Sequence, residues 1–313
     1  MRTNKIPIQY PIERSPLYNL RRKKKLEQLL GISLYELYHL DSDQSYHDFS
    51  IPKKDGSTRD VSAPDRSLKL IQKRLLKILQ RIESPEWLTS GKKGKSYIDN
   101  TRFHLGAENV LTIDIRKFYN NCKHKYIYHL FVDVFKTSPD VAYLLCKLTS
   151  HFWKLPTGAP TSQLLAFWAY RDTFSQINAI AAKYGCKFSL YVDDMTFSSK
   201  DKIPVPLLLE DVSSALHGVG HRMKYSKIIH YQSGKAKLIT GAIIDKDNIL
   251  RVPNKLHYSI ITDLKSLKMN ILSDKDRVDV RSSLLGRIHV AQTIEAGIFP
   301  EALKYTKSLK TSK

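Results

Sequence analysis

Three aspartates carry the residue types and settings from which chemistry can be expected. Val110-Leu111-Thr112-Ile113-Asp114-Ile115 is an apolar, β-type run with a single acid placed late in it. A carboxylate at the end of a buried strand is costly to keep ionised unless a cation or a metal compensates it. The second acidic site lies within Phe188 to Phe197, where two short β-rich runs meet at Asp193 and Asp194. That pattern predicts a hairpin with acids at its turn. Strand side chains alternate between faces and a turn relaxes the alternation, so Asp193 can face the same pocket as Asp114, with Asp194 nearby. Three carboxylates gathered on a sheet surface suit hard Mg2+ ions, which take carboxylate oxygens, waters and substrate phosphates.

Other elements must hold these acids in place and bring a substrate to them. Phe49-Ser50-Ile51-Pro52, then Lys53-Lys54-Asp55-Gly56-Ser57, then Arg59-Asp60-Val61 reads as strand, tight turn, strand, because Asp-Gly is a strong hairpin signal. The hairpin carries cations at its tip and in its return strand. Leu68, Ile71, Leu75, Leu76, Leu79 and Ile82 give an amphipathic helix with Lys69, Lys73, Arg74, Lys77 and Arg81 on its other side. Leu26, Leu29, Leu30 and Leu34 have helical spacing, so the basic run Arg21 to Lys25 opens a helix. That run either touches phosphate or is simply solvated, and the sequence leaves both readings open. After Gly241, Asp245 to Asn248 reads as a turn. Helical spacing follows through Tyr258, Ile261, Leu264, Leu267 and Leu272, and again through Val278, Leu284, Leu285, Ile288 and Ile294.

Composition sets the outer bounds. The 313 residues contain 51 Lys+Arg and 30 Asp+Glu, a formal net charge of +21, with 42% hydrophobic residues. Such a chain builds a core without disulfides or metals, so the charge sits on a folded surface. Basic residues are dispersed along the chain: of the segments 1–27, 28–50, 51–103, 104–245 and 246–313, only 28–50 has no Lys or Arg. Dispersed cations on a folded surface point to an extended polyanion such as a nucleic acid. Cys122, Cys146 and Cys186 are widely spaced and lack a C-x-x-C pair, which points to a reduced, cytoplasmic protein without structural zinc. No apolar run approaches a membrane span, so secretion and membrane insertion are disfavoured.

The Tyr-x-Asp-Asp box Tyr191-Val192-Asp193-Asp194, preceded by strand-end Asp114, resembles the palm of a reverse transcriptase. The tetrapeptide alone is weak, and the ordered set is stronger. Asp114 is followed by Tyr119, matching the family's aspartate and aromatic sugar gate. Leu155-Pro156-Thr157-Gly158-Ala159-Pro160-Thr161-Ser162 resembles the L-P-Q-G-A-P-T-S box, and His217-Gly218-Val219-Gly220 with Lys227 resembles the later G…K element. Asn100-Thr101-Arg102-Phe103-His104 and Ile239-Thr240-Gly241 resemble the N-A-x-x-H and V-T-G elements of bacterial retron reverse transcriptases. Thr157, Gln163 and Val192 depart from the family's usual Gln, Pro and Ala. The first of these bears on contacts to the incoming nucleotide.

The resemblance implies an α+β, right-hand polymerase fold with fingers, an antiparallel palm sheet with helices, and a small helical thumb. It implies a basic extension at 1–48, fingers at 49–104 and 124–155, palm at 105–123 and 156–245, and thumb at 246–313. Asp114, Asp193 and Asp194 would be catalytic and would hold two Mg2+ ions, with Ile115 as a further metal-contacting position and Mn2+ as a substitute ion. Lys53, Lys54, Arg59, Tyr119, Thr157, Gly158 and Lys227 would contact the nucleotide, Arg59 by its forked guanidinium. Asn100 and His104 would serve family-specific structure or RNA contact. Lys255, Lys265, Lys268, Arg277, Arg281 and Arg287 would grip RNA or the template duplex. The implied partners are a cognate structured noncoding RNA and its DNA product, dNTPs and a retron effector protein. Primed from an internal 2′-hydroxyl, the enzyme would make a branched RNA-linked DNA with a role in defence against phage. A reverse transcriptase of another bacterial lineage and an RNA-binding scaffold that does not polymerise are the alternatives.

Overall fold

The computed structural model describes residues 8–40, 43–53, 56–269 and 272–309. Near the N-terminus, the leucine series is divided between two helices, α1 (Lys23–Leu30) and α2 (Leu34–His39), instead of forming one. Gly31 ends α1 in the left-handed region at φ 58°, and the Arg74 guanidinium donates to the carbonyls of Leu30 and Gly31 at 2.6 and 2.8 Å. A side chain at Gly31 would collide with that guanidinium, so the break is built into the packing. Ser33 and Glu36 then open α2 with a reciprocal capping box.

The predicted hairpin is β1 (Tyr46–Pro52) against β2 (Thr58–Pro64), antiparallel from Tyr46 opposite Pro64 to Pro52 opposite Thr58. All of β1 but Tyr46 is exposed, so the hairpin projects from the body. Lys54 lies outside the described residues. Helix α3 (Arg66–Leu79) starts where the Asp65 carboxylate accepts from the Leu68 N–H, and it buries Leu68, Ile71, Leu75 and Leu79.

Helix α4 (Tyr97–Phe103) leads into β3 (Asn109–Asp114), followed by α5 (Phe118–Asn121), α6 (His124–His129), α7 (Pro139–Thr149), α8 (Ser162–Ala169) and α9 (Arg171–Lys183). Then come β4 (Lys187–Tyr191), β5 (Asp194–Ser199), α10 (Val205–Gly218) and β6 (Ile229–Tyr231). The central sheet is antiparallel throughout, in the order β4-β5-β3-β6. Residues of β3, β4 and β5 share one hydrophobic core with helices α1 to α3 and α5 to α10, whereas Ile98 of α4 belongs to a separate cluster.

A small sheet of β7 (Lys237–Ile239), β8 (Ala242–Ile244) and β9 (Leu250–Arg251) precedes three helices, α11 (Asn254–Met269), α12 (Asp274–Ile294) and α13 (Pro300–Ser308). These helices bury a second cluster that includes Val252, Ile260, Leu267, Leu284, Ile288, Ala291 and Ile294. The predicted apolar stripe is therefore partly out of phase. Tyr258 and Val278 are exposed, and Ile260 is buried in their place, because the contact face is set by where the neighbouring helices lie.

Candidate active site

Strand register brings the three carboxylates together. Asp114, the last residue of β3, pairs directly with Asp194, the first residue of β5. Asp193 occupies the two-residue turn between β4 and β5, and its carbonyl accepts from the Ile115 N–H at 3.0 Å. Val192, the other turn residue, sits at φ 62°, strained for a β-branched side chain, and its N–H is held by the Ser90 hydroxyl at 2.9 Å. Ile115 has an apolar, buried side chain, so only its carbonyl could reach a metal.

The field at this place is short of positive charge. Burial, then the charge of Asp114, holds the Asp193 carboxyl above the usual carboxylate range, with its own backbone hydrogen bond, Lys227 and Arg59 opposing. Burial, then Asp193 and Asp114, raises Asp194 to about 7. Lys227 supplies part of the missing charge. Met223 bridges to Ile115, the Lys224 N–H donates to the Asp114 carbonyl at 2.8 Å, and a short turn at Tyr225–Lys227 follows. That path returns the Lys227 ammonium to the Asp114 carboxylate at 2.5 Å. Although burial pulls the Lys227 ammonium down, its bond to Asp114 and the surrounding acids carry it above the usual lysine range.

Tyr119 lies in the first turn of α5, half-buried. Burial, then the charge of Asp193, raises its hydroxyl, and Arg59 from β2 opposes the shift. Arg59, Tyr119 and Asp193 therefore share one electrostatic neighbourhood. The Thr157 carbonyl accepts from the Ser62 N–H of β2 at 2.8 Å. Gly158 sits beside it at φ 122°, where a Cβ would come within 3.0 Å of Val61 and 3.1 Å of the Ser62 carbonyl. The box and the hairpin are thus fastened together by backbone. Lys53 also belongs to the hairpin, with its N–H bonded to the Ser57 carbonyl at 2.7 Å and its side chain exposed.

The hard carboxylate oxygens of Asp114, Asp193 and Asp194, gathered at one end of the sheet, form a donor set that fits a divalent cation. Among the described residues, no three His, Cys, Asp or Glu side chains are already closed around one point. With Lys227 on Asp114, the acids are gathered but open, and a metal would have to take over the lysine's place on Asp114.

RNA contact by Asn100 and His104 needs correction, because both are fully buried. The His104 ring lies 2.7 Å from the Ser198 hydroxyl through Nδ1 and 2.7 Å from the Ser189 hydroxyl through Nε2. Ser189 gives its one proton to Asn100 Oδ1 at 2.7 Å, so Nε2 must donate and Nδ1 accept. Asn100 also donates to the Thr240 hydroxyl at 3.2 Å. These residues fasten α4 to the central sheet and to β7–β8. The V-T-G resemblance singles out Thr240, but Ser189, Ser198 and the turn-holding Ser90 carry no motif; for Ser189 and Ser198 a small hydroxyl inside an otherwise apolar strand is the available signal.

The six basic residues of α11 and α12 are not equivalent. Arg287 is ion-paired with Asp263, and Arg281 donates to the Thr306 carbonyl at 3.0 Å, so both tie helices together. Lys268 lies over the Tyr305 ring at 5.6 Å, Lys255 and Lys265 are exposed, and Arg277 is half-buried.

Residues 51–257 match the family model described as reverse transcriptase (RNA-dependent DNA polymerase). The chain is 29% identical over 227 residues to the Retron Se72 reverse transcriptase of Salmonella heidelberg, covering 69% of this chain and 60% of that protein. It is 26% identical over 263 residues to the Retron Mx162 reverse transcriptase of Myxococcus xanthus, covering 73% and 54%. The chain thus spans somewhat more than half the length of these two relatives. Apo telomerase from Candida tropicalis shares the fold with a TM-score of 0.51 at 11% identity, over 79% of this chain and 52% of that one. With the match covering most of the chain and all three sheet-borne aspartates inside it, the chain belongs to the reverse transcriptase family.

Proposed function

We propose that the protein is an RNA-directed DNA polymerase of the retron type, acting at Asp114, Asp193 and Asp194. The observation that carries this reading is the β3–β5 register, which sets Asp114 against Asp194 with Asp193 in the adjoining turn, all in a field short of positive charge. Two Mg2+ ions, when bound, would activate the primer hydroxyl and neutralise the triphosphate and departing pyrophosphate. Asp114 and Asp193 would hold both ions, and Asp194 would support the one on the primer side. The hydroxyl oxygen bonds to the α-phosphorus, the bond from that phosphorus to the β-phosphate oxygen breaks, and the hydroxyl proton leaves to solvent.

Around that step the chain's own residues bind and orient. Arg59 and the lysines of the hairpin meet the triphosphate, and Lys227, released from Asp114, turns to the same phosphates. Tyr119 lies under the deoxyribose and excludes a 2′-hydroxyl. Thr157 and Gly158 let backbone approach the nucleotide. In this reading the fingers are 49–104 and 124–155, the palm 105–123 and 156–245, and the thumb 246–313, preceded by a basic extension at 1–48. The thumb's exposed cations, Lys255 and Lys265 among them, would hold template duplex and a cognate structured RNA. Priming from an internal 2′-hydroxyl would give a branched RNA–DNA product, in the cytoplasm, in defence against phage and alongside an effector protein.

Primer extension on an RNA template with dNTPs tests the polymerase. Mg2+-dependent DNA product, lost on chelation, is expected, and its absence would overturn the assignment. Sequencing the nucleic acid that copurifies tests the retron element. A branched RNA–DNA species is expected, and linear products alone would point to another reverse transcriptase lineage.

A further inference from the structure

The turn preceding Leu155 presents two aromatic side chains that contact the His151 and His124 rings yet stay largely exposed, which turn geometry does not explain. His151 and Lys154 exchange both backbone hydrogen bonds, at 2.9 and 3.1 Å, and close a two-residue loop with Phe152 and Trp153 at its centre. Both central residues are at positive φ, 44° and 61°. This is the arrangement of a type I′ turn, for which Asn and Gly are the ordinary residues. Phe and Trp are strained there, yet they stay 60% and 66% exposed, so no burial offsets the strain.

Each ring faces a hollow. Phe152 borders a cleft of about 430 Å3 whose lining includes Asp60, Asn120, Lys154 and Thr157. Asn120 follows Tyr119 and Thr157 precedes Gly158, so this cleft opens beside the nucleotide-contact residues. Trp153 borders a second hollow of about 400 Å3 with Tyr38, His124, Tyr143 and Lys147, and meets the His124 ring edge-on at 4.8 Å. Tyr38 and Tyr143 are themselves about half exposed, at 48% and 52%. Lys123, bridged to Lys154 through backbone, is exposed, as are Lys125 and Lys154.

Exposed rings interleaved with cations match one chemistry, unpaired bases that offer π-faces along a phosphate backbone. A duplex hides its base faces inside the stack and cannot use such rings. The acids on the Phe152 side, Asp48 near His151 at 3.3 Å and Asp60 accepting from Ser50 at 2.7 Å, make that cleft unsuited to phosphate and suited to base edges.

We propose that the Phe152–Trp153 turn is a stacking platform for single-stranded nucleic acid, holding the unpaired template ahead of the carboxylates. The proposal rests on the polymerase reading above and adds a site to it. The test replaces Phe152→Asn with Trp153→Gly in the full chain, which supplies the residues the turn favours and keeps the loop. Binding of a short unstructured RNA and of a blunt RNA duplex is then measured beside the melting temperature, with Trp153→Ala as a second variant.

The double variant should bind the single strand about tenfold more weakly, as loss of base–aromatic stacking implies. Its duplex affinity should be unchanged and its melting temperature equal or higher. Unchanged single-strand affinity overturns the platform and leaves the rings to a protein partner. Equal loss for single strand and duplex also overturns it, because general charge and not stacking would then be responsible. Primer extension by the unsubstituted protein separates the two readings. Extension with unchanged single-strand affinity in the variant removes only the platform, whereas no extension removes the polymerase.

Discussion

Asp114 keeps its ammonium partner because two further carboxylates stand behind it. Burial and mutual repulsion raise Asp193 and Asp194, and Lys227, expected at the nucleotide, instead reaches the Asp114 carboxylate. Removing the lysine leaves the acids facing each other in the metal-free protein. Lys227→Met should lower the metal-free stability by about 1 kcal/mol or less, since the lysine is half exposed, and with it the melting temperature. It should also enlarge the rise that Mg2+ produces, because the ion then relieves more repulsion. Equal Mg2+-induced shifts in the two proteins would show that Lys227 and the metal do not share Asp114. The aspartates were legible in the sequence from their strand-end and turn settings. The Lys227–Asp114 pair was not, because it depends on the return of residues 223–227 along β3, a tertiary arrangement.

At the scale of elements, the joint between α4 and the sheet is made by polar groups, where apolar contact would be expected. His104 is neutral in this joint, since burial, with the charge of Lys187 adding to it, drives its imidazole down to about 3 from an ordinary 6.5. Below pH 6.5 the unfolded chain takes up a proton that the native ring refuses, so this group's stability is present above pH 6.5 and is lost as pH falls toward 3. His221, with its ring lowered to about 4 by burial, then by Lys123, acts in the same sense. His104→Gln should therefore cost about 1–3 kcal/mol at neutral pH and leave a shallower acid-side loss. Urea unfolding at several pH values measures both, and an unchanged slope would exclude the neutral, bonded ring. The hairpin β1–β2, helix α3 and the acid-tipped hairpin β4–β5 were readable because turn chemistry and periodicity are local. The division at Gly31 and the burial phase of α11 were not, because Arg74 in one case and the packing of α12 and α13 in the other decide them.

The whole molecule sets a strongly basic surface around a small acidic centre. A net charge of +21, spread over most of the chain, means that RNA binding should be dominated by release of counterions. RNA affinity should fall by about 10^3-fold or more between about 50 mM and about 200 mM salt, if at least six phosphates are neutralised. A weak salt dependence would mean that few of these cations meet the polyanion. Positive charge thus collects nucleic acid, and the minority acids act on it. The most direct measurement compares Asp193→Asn with Asp194→Asn, made together, against the unsubstituted protein for DNA synthesis on an RNA template and for RNA affinity. Loss of DNA product with RNA affinity retained is the expected result. Undiminished DNA product from the double variant would contradict catalysis at these aspartates.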